Sequence, residues 1–156
     1  MNSFWNENIN NIDYPKLKQK IEVEVCIIGG GLTGISTAYY LTNKGFNVVI
    51  LEKDKICNST TGGSTGKITS LHGLIYKYLK DSNNREFAKK YFEANEEAKE
   101  NIKKIINKEN IDCDLEIKNS YVYTESENNL SKIKDEIKAL KSLEIPSEFV
   151  NKIEYY

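Results

Sequence analysis

Gly29, Gly31 and Gly34 stand at the spacing of a phosphate cradle, within Val25-Cys-Ile-Ile-Gly-Gly-Gly-Leu-Thr-Gly34. The glycines follow an apolar run and open a helical pattern, which is the context that gives a GxGxxG match its meaning. Gly29 permits a tight turn. Gly31 lacks a Cβ, so a pyrophosphate can approach the backbone. Gly34 lets the helix pack close to the strands. Backbone N–H groups at the helix start, with the positive end of its dipole, would hold the phosphate. Glu52 closes the next apolar run, 18 positions beyond Gly34. A carboxylate there accepts hydrogen bonds from ribose hydroxyls and repels a 2′-phosphate, so NADP is disfavoured. FAD and NAD both remain open at this point, since they share the ADP half.

A second small-residue loop follows at once: Asn58-Ser-Thr60-Thr61-Gly-Gly-Ser-Thr65-Gly66-Lys67. Its hydroxyls and glycines offer donors to a pyrophosphate and let backbone approach a flat ring. A simple NAD domain turns there into another helix and strand, so the loop favours FAD.

The elements that must position these residues are legible around them. Ile21 to Ile28 is β-branched and predicts a buried strand, with Cys26 in its core. Leu32 to Lys44 carries Leu32, Ile35, Ala38, Tyr39 and Leu41 at helical spacing, with Gly45 as its C-cap. Phe46 to Leu51 is a second strand. Strand, helix and strand make one βαβ unit with a right-handed crossover and parallel strands. Beyond it, Ile68, Leu71, Ile75 and Leu79 mark a helical face. Residues from Arg85 to Lys108 mark a longer one, and Leu130 to Leu140 a last one that Pro146 ends. Leu115, Ile117, Tyr121 and Tyr123 alternate like a strand or hairpin arm.

Composition narrows the classes. The chain has 156 residues, a net charge of −1 and 29% charged residues, which argues against binding nucleic acid through net field. Residues 1–80 nonetheless carry nine Lys/Arg against six Asp/Glu, so the glycine-rich half is the one suited to an anion. No apolar stretch reaches the roughly 18–20 residues of a membrane span, and the first residues have no signal-peptide pattern. Three cysteines and one histidine supply neither a disulfide framework nor a zinc site. Reduced thiols and a cytoplasmic location are expected.

Together with Ala38-Tyr-Tyr-Leu41, Gly45, Val48-Val-Ile-Leu-Glu52 and Thr60-Thr61-Gly62, the glycine motif resembles the glycine/D-amino-acid oxidase (DAO) family of FAD-dependent oxidoreductases. Thr60 to Gly73 is similar to a bacterial branch, some members of which carry a C-terminal Rieske domain. Glu93 to Ala98 and Tyr121 to Thr124 extend the resemblance.

The resemblance implies an α/β chain: a Rossmann-like FAD-binding βαβ unit, then helices and the start of a mixed α+β substrate domain. It divides the chain into an arm (1–20), the FAD unit with its second loop (21–80), and a helical segment opening the substrate domain (81–156). It implies that Gly29, Gly31, Leu32, Thr33 and Gly34 hold the FAD pyrophosphate. Glu52 and Lys53 would meet the adenosine ribose, and Thr60 and Thr61 the pyrophosphate and ribityl side. Thr65, Gly66 and Lys67 would run beneath the flavin, although relatives have a small or apolar residue where Lys67 stands.

The implied chemistry is hydride transfer from an amine or amino-acid carbon to flavin. The family clamps its substrate carboxylate with Arg and Tyr from the substrate domain. This chain offers only Arg85, on an expected helix, so no residue is assigned to catalysis. His72 reads as a core or helix-face residue. The returning part of the FAD domain has no counterpart before Tyr156, so the expectation is an N-terminal piece that binds flavin weakly or not at all. A stand-alone NAD enzyme and a non-enzymatic interaction module are the alternatives.

Overall fold

Two short apolar runs cannot satisfy their backbones alone, and here they satisfy each other. The computed structural model describes residues 13–153; residues 1–12 of the expected arm lie outside the described residues. The strands β1 (Val25–Ile28) and β2 (Val48–Leu51) pair in parallel, with Val25 opposite Val48 and Ile28 opposite Leu51. Helix α1 (Leu32–Thr42) links them. It stops two residues before the expected end. Gly45, in the left-handed region at φ +89°, donates to Thr42 O and completes the turn.

Cys26 is exposed rather than part of a core. Alternate strand residues point to opposite faces, and the face carrying Cys26 and Ile28 has no cover among the described residues: Ile28 is 88% exposed.

The chain divides into two compact units, one extending to Lys67 and the other beginning at Ile68. The second holds α2 (Ile75–Ser82), α3 (Arg85–Glu109) and α4 (Glu127–Ser142). Its core joins Tyr76, Leu79, Ala88, Leu140, Leu143 and Ile145. The Tyr76 ring meets those of Tyr91 and Phe92 edge-on, at 6.0 and 6.1 Å between centroids. The long helix α3 is capped at both ends. Asn84 accepts from the Phe87 N–H at 2.8 Å, and Asn110 closes the C-terminus in the left-handed conformation.

Helix α2 starts at Ile75, not near Ile68, because Gly73 sits at φ +68° and turns the chain out of any earlier helix. Its N-cap residue, Leu74, has no side-chain acceptor. The buried carboxylate of Glu136, on α4, takes that place: Oε1 accepts from the Tyr76 N–H at 2.7 Å and Oε2 from the Lys77 N–H at 2.9 Å. Residues 115–123 form no regular strand. Alternation alone does not make one, since a strand also needs a partner for its backbone, and none pairs with this segment among the described residues. No helix among the described residues is long and apolar enough to cross a membrane.

Tyr76 carries a pH prediction. Its hydroxyl donates to Ser70 O at 2.5 Å, and burial, followed by the nearby Tyr91, Glu96 and Glu136, pushes its pKa up to about 12. An unfolded tyrosine ionises near pH ~10. Between those values the unfolded chain loses a proton that the folded one keeps, so stability is full below pH ~10 and falls as pH rises toward 12. Urea midpoints should therefore drop from pH 9 to pH 11 by more in the parent than in Tyr76→Phe. Equal drops would contradict this account.

Candidate functional site

The turn after β1 is built from three glycines, and each has a separate reason. The Gly29 N–H donates to Leu51 O at 2.8 Å, continuing the ladder, and Gly29 then turns at φ +106°. Gly30 is the only buried residue among those described up to Lys67. Its N–H donates to Glu52 Oε2 at 2.7 Å, and its carbonyl accepts from the Cys57 N–H at 3.0 Å. A Cβ on Gly30 would lie 2.3 Å from Ile56 Cδ1, so no side chain fits there without displacing Ile56. Gly31 caps α1 with no side-chain oxygen to offer. A Cβ on Gly34 would lie 2.0 Å from Gly29 O, so the first turn of α1 can approach the strand end only with glycine at that position.

The loop after β2 folds back onto this turn. Glu52 accepts from Gly30 N–H and, through Oε1, from Asp54 N–H at 3.0 Å. These two donors, Gly30 first, hold its carboxyl below the usual range. Cys57 takes the left-handed conformation at φ +59°, which brings its N–H to the Gly30 carbonyl. Thr61 Oγ1 then accepts from the Leu32 N–H at 3.0 Å, at the first residue of α1.

Gly29, Gly31, Leu32, Gly34, Glu52 and Thr61 are thus gathered at one end of the parallel pair. Thr33, Lys53, Thr60, Thr65, Gly66 and Lys67 are exposed and take no part in the hydrogen bonds that tie the loop to the turn. Gly66 stands at φ +68° and donates to Ser64 Oγ.

Motif spacing passes over Gly30, Ile56 and Cys57, which join the two loops. The run of three glycines was the available signal for Gly30. Ile56 and Cys57 carry no motif.

In the second unit, His72 is exposed and precedes α2, so it is neither a core nor a helix-face residue; its Nδ1 lies 2.7 Å from Tyr91 Oη. Arg85 donates through Nε to Ser142 O at 3.0 Å and lies 3.5 Å from Glu144 Oε2. It fastens the start of α3 to the end of α4. Among the described residues no group of three or more His, Cys, Asp or Glu side chains is placed to hold a metal ion.

A Bacillus subtilis protein, YhfW, which bears the name of a Rieske 2Fe-2S iron-sulfur protein, is 37% identical over 148 residues, covering 95% of this chain and 29% of that protein. The gamma-glutamylputrescine oxidoreductase of Escherichia coli is 31% identical over 101 residues, 65% of this chain and 24% of that enzyme. The D-amino acid dehydrogenase of Helicobacter pylori is 40% identical over 47 residues, 30% of this chain and 12% of that enzyme. The chain therefore spans under a third of the length of these relatives. No solved structure matches it significantly. Residues 24–155 match the DAO family, described as FAD dependent oxidoreductase, and the chain belongs to that FAD-dependent family.

Proposed function

We propose that this chain carries the Rossmann-type nucleotide-binding unit of a cytoplasmic FAD-dependent oxidoreductase acting on an amine or amino acid. The reading assigns residues 21–80 to the nucleotide and 81–156 to the substrate side. The observation that carries it is the ionised Glu52, held by Gly30 beside a glycine turn at the start of α1. An ADP moiety needs a carboxylate that accepts from its ribose and a turn without side chains under its pyrophosphate. Both stand together, and the added Cβ contacts at Gly30 and Gly34 explain why the turn tolerates no larger residue.

FAD, when bound, supplies the two-electron acceptor for a hydride leaving the carbon beside the substrate nitrogen. The chain's own residues bind and orient. Gly31, Leu32 and Thr33 present backbone to the pyrophosphate, Glu52 with Lys53 receives the ribose, and Thr60 and Thr61 line the pyrophosphate side. Thr65, Gly66 and Lys67 supply exposed backbone and one cation for the ring. The named activities of the relatives, on gamma-glutamylputrescine and on D-amino acids, support a small amine or amino-acid substrate.

The test is a titration of the ¹⁵N-labelled chain with FAD and, separately, with NADH. FAD is expected to move the amides of Gly30, Gly31 and Leu32, even if saturation needs millimolar ligand. Glu52→Ala should weaken binding by about tenfold or more, the worth of hydrogen bonds to a charged acceptor. Unmoved amides at millimolar FAD would overturn the reading, as would tighter binding of NADH than of FAD.

A further inference from the structure

We propose that Ser70, held by Glu96 of α3, is a positioning residue for the flavin end of the cofactor: it fixes the end from which Thr65, Gly66 and Lys67 extend. The inference rests on the FAD-site reading and adds to it a group that tells FAD from its ADP half.

Residues 65–73 form neither helix nor strand, so no regular ladder fixes their backbone. Side chains do so instead, centred on Ser70. The Ser70 hydroxyl donates to Glu96 Oε1 at 2.5 Å, and the Ser70 carbonyl accepts from the Tyr76 hydroxyl. The Leu71 N–H closes a local turn by donating to Thr69 Oγ1 at 2.9 Å. Leu71 packs against the core of the helical unit, and His72 Nδ1 lies 2.7 Å from Tyr91 Oη. Ser64 to Ile68 are exposed, whereas Thr69 to Leu71 are half-buried. The change from exposed to held chain thus comes within three residues of Lys67.

Glu96 is suited to holding it. Partial burial works against its charge, but hydrogen bonds from Lys99 Nζ, at 2.7 Å, and from Ser70 keep the carboxyl below the usual range. An ionised carboxylate only accepts, so Ser70 is the donor. A hydrogen bond to a charged acceptor is stronger than one between neutral groups.

Three residues span about 10 Å at most, so the direction of the chain at Ser70 is carried to Lys67 with little slack. In the FAD-site reading residues 65–67 run beneath the flavin ring, while the ADP half meets the turn after β1 and Glu52. Ordering a loop against a ring costs backbone entropy, and a loop already fixed at one end loses less. The bond between Ser70 and Glu96 therefore adds to the affinity for FAD and adds nothing to the affinity for ADP.

The ratio of the two affinities is what the experiment reads. FAD and ADP are titrated separately into the full chain, into Ser70→Ala and Glu96→Ala, and into Ser70→Thr, which keeps the hydroxyl. Ser70→Ala and Glu96→Ala are expected to weaken FAD by roughly three- to tenfold, the worth of one net hydrogen bond. ADP stays unchanged, and Ser70→Thr stays near the parent. Glu100→Ala removes the ion pair with Lys103 on the same helix and should leave both ligands unaffected.

A residue that merely stabilised the fold would shift FAD and ADP by one factor. Equal shifts, or no shift in FAD, overturn the inference and leave the FAD site standing. A parent that binds ADP as tightly as FAD does the same. If the parent binds neither, both fall. Should Ser70→Ala not fold, Glu96→Ala decides, since alanine suits the interior of α3.

Discussion

Replacing Gly34 with alanine is expected to abolish nucleotide binding and to destabilise the βαβ unit by about 3 kcal/mol or more, the upper range of overpacking. Two effects oppose each other at this position. Alanine is the better helix former, and at an interior helix position it gains about 1 kcal/mol over glycine. The added methyl group, however, would be placed 2.0 Å from Gly29 O, and that atom is backbone in the turn after β1. It cannot rotate away as a side chain can. Relief requires moving α1 from the strand end, which also moves the Leu32 amide from Thr61. Packing therefore outweighs propensity, and the sign is negative.

Gly45 is the control. It has open space around it but a positive φ, so Gly45→Ala costs only backbone strain, about 1 kcal/mol. Thermal melts of both variants, with amide exchange at Val25–Ile28, check this. A Gly34→Ala protein as stable as Gly45→Ala would contradict it.

The second large effect is in the helical unit. Glu136→Ala is expected to cost about 3 kcal/mol in urea unfolding followed by helix circular dichroism. The carboxylate is 3% exposed and meets two amide donors at the start of α2. Truncation leaves both without their acceptor, at roughly 1–3 kcal/mol for each donor that stays buried. It also withdraws a negative charge from the positive end of the helix dipole. Glu136→Gln keeps one carbonyl oxygen and turns an amide N–H₂ toward the second donor, so it should lose less, though still measurably. A loss below about 1 kcal/mol for Glu136→Ala would show that water replaces the carboxylate.

The legible parts of the fold were those whose signals are local. The strand–helix–strand order and the limits of α3 follow from apolar period, and the close of α1 from Gly45. The gathering of Gly29, Gly31, Gly34 and Glu52 at one end of the strand pair follows from motif spacing. What could not be read depends on partners distant in the chain. Glu136 looks like one more polar residue on an amphipathic helix, and only the approach of α2 makes it a cap. Gly30 occupies a position that the motif leaves free, yet Ile56 and Cys57 fill the space beside it. Cys26 lies in an apolar run, but burial is decided by what covers the strand. The alternation at 115–123 gives a correct period for a strand and says nothing about pairing. The partner of His72, Tyr91, lies 19 residues away, out of reach of any local signal.

The two units differ in what holds them. The second owns a cluster of buried side chains, whereas among the described residues up to Lys67 the sole buried one is a glycine, which contributes no apolar side chain to a core. The first unit thus relies on backbone hydrogen bonds and on its loop. For such a unit the proposed nucleotide would be part of the structural material. A ligand that binds only the folded form adds RT ln(1 + [L]/Kd) to stability, and where the intrinsic share is small this becomes a large fraction of the whole. Cofactor supply would then govern how long this half of the chain stays folded.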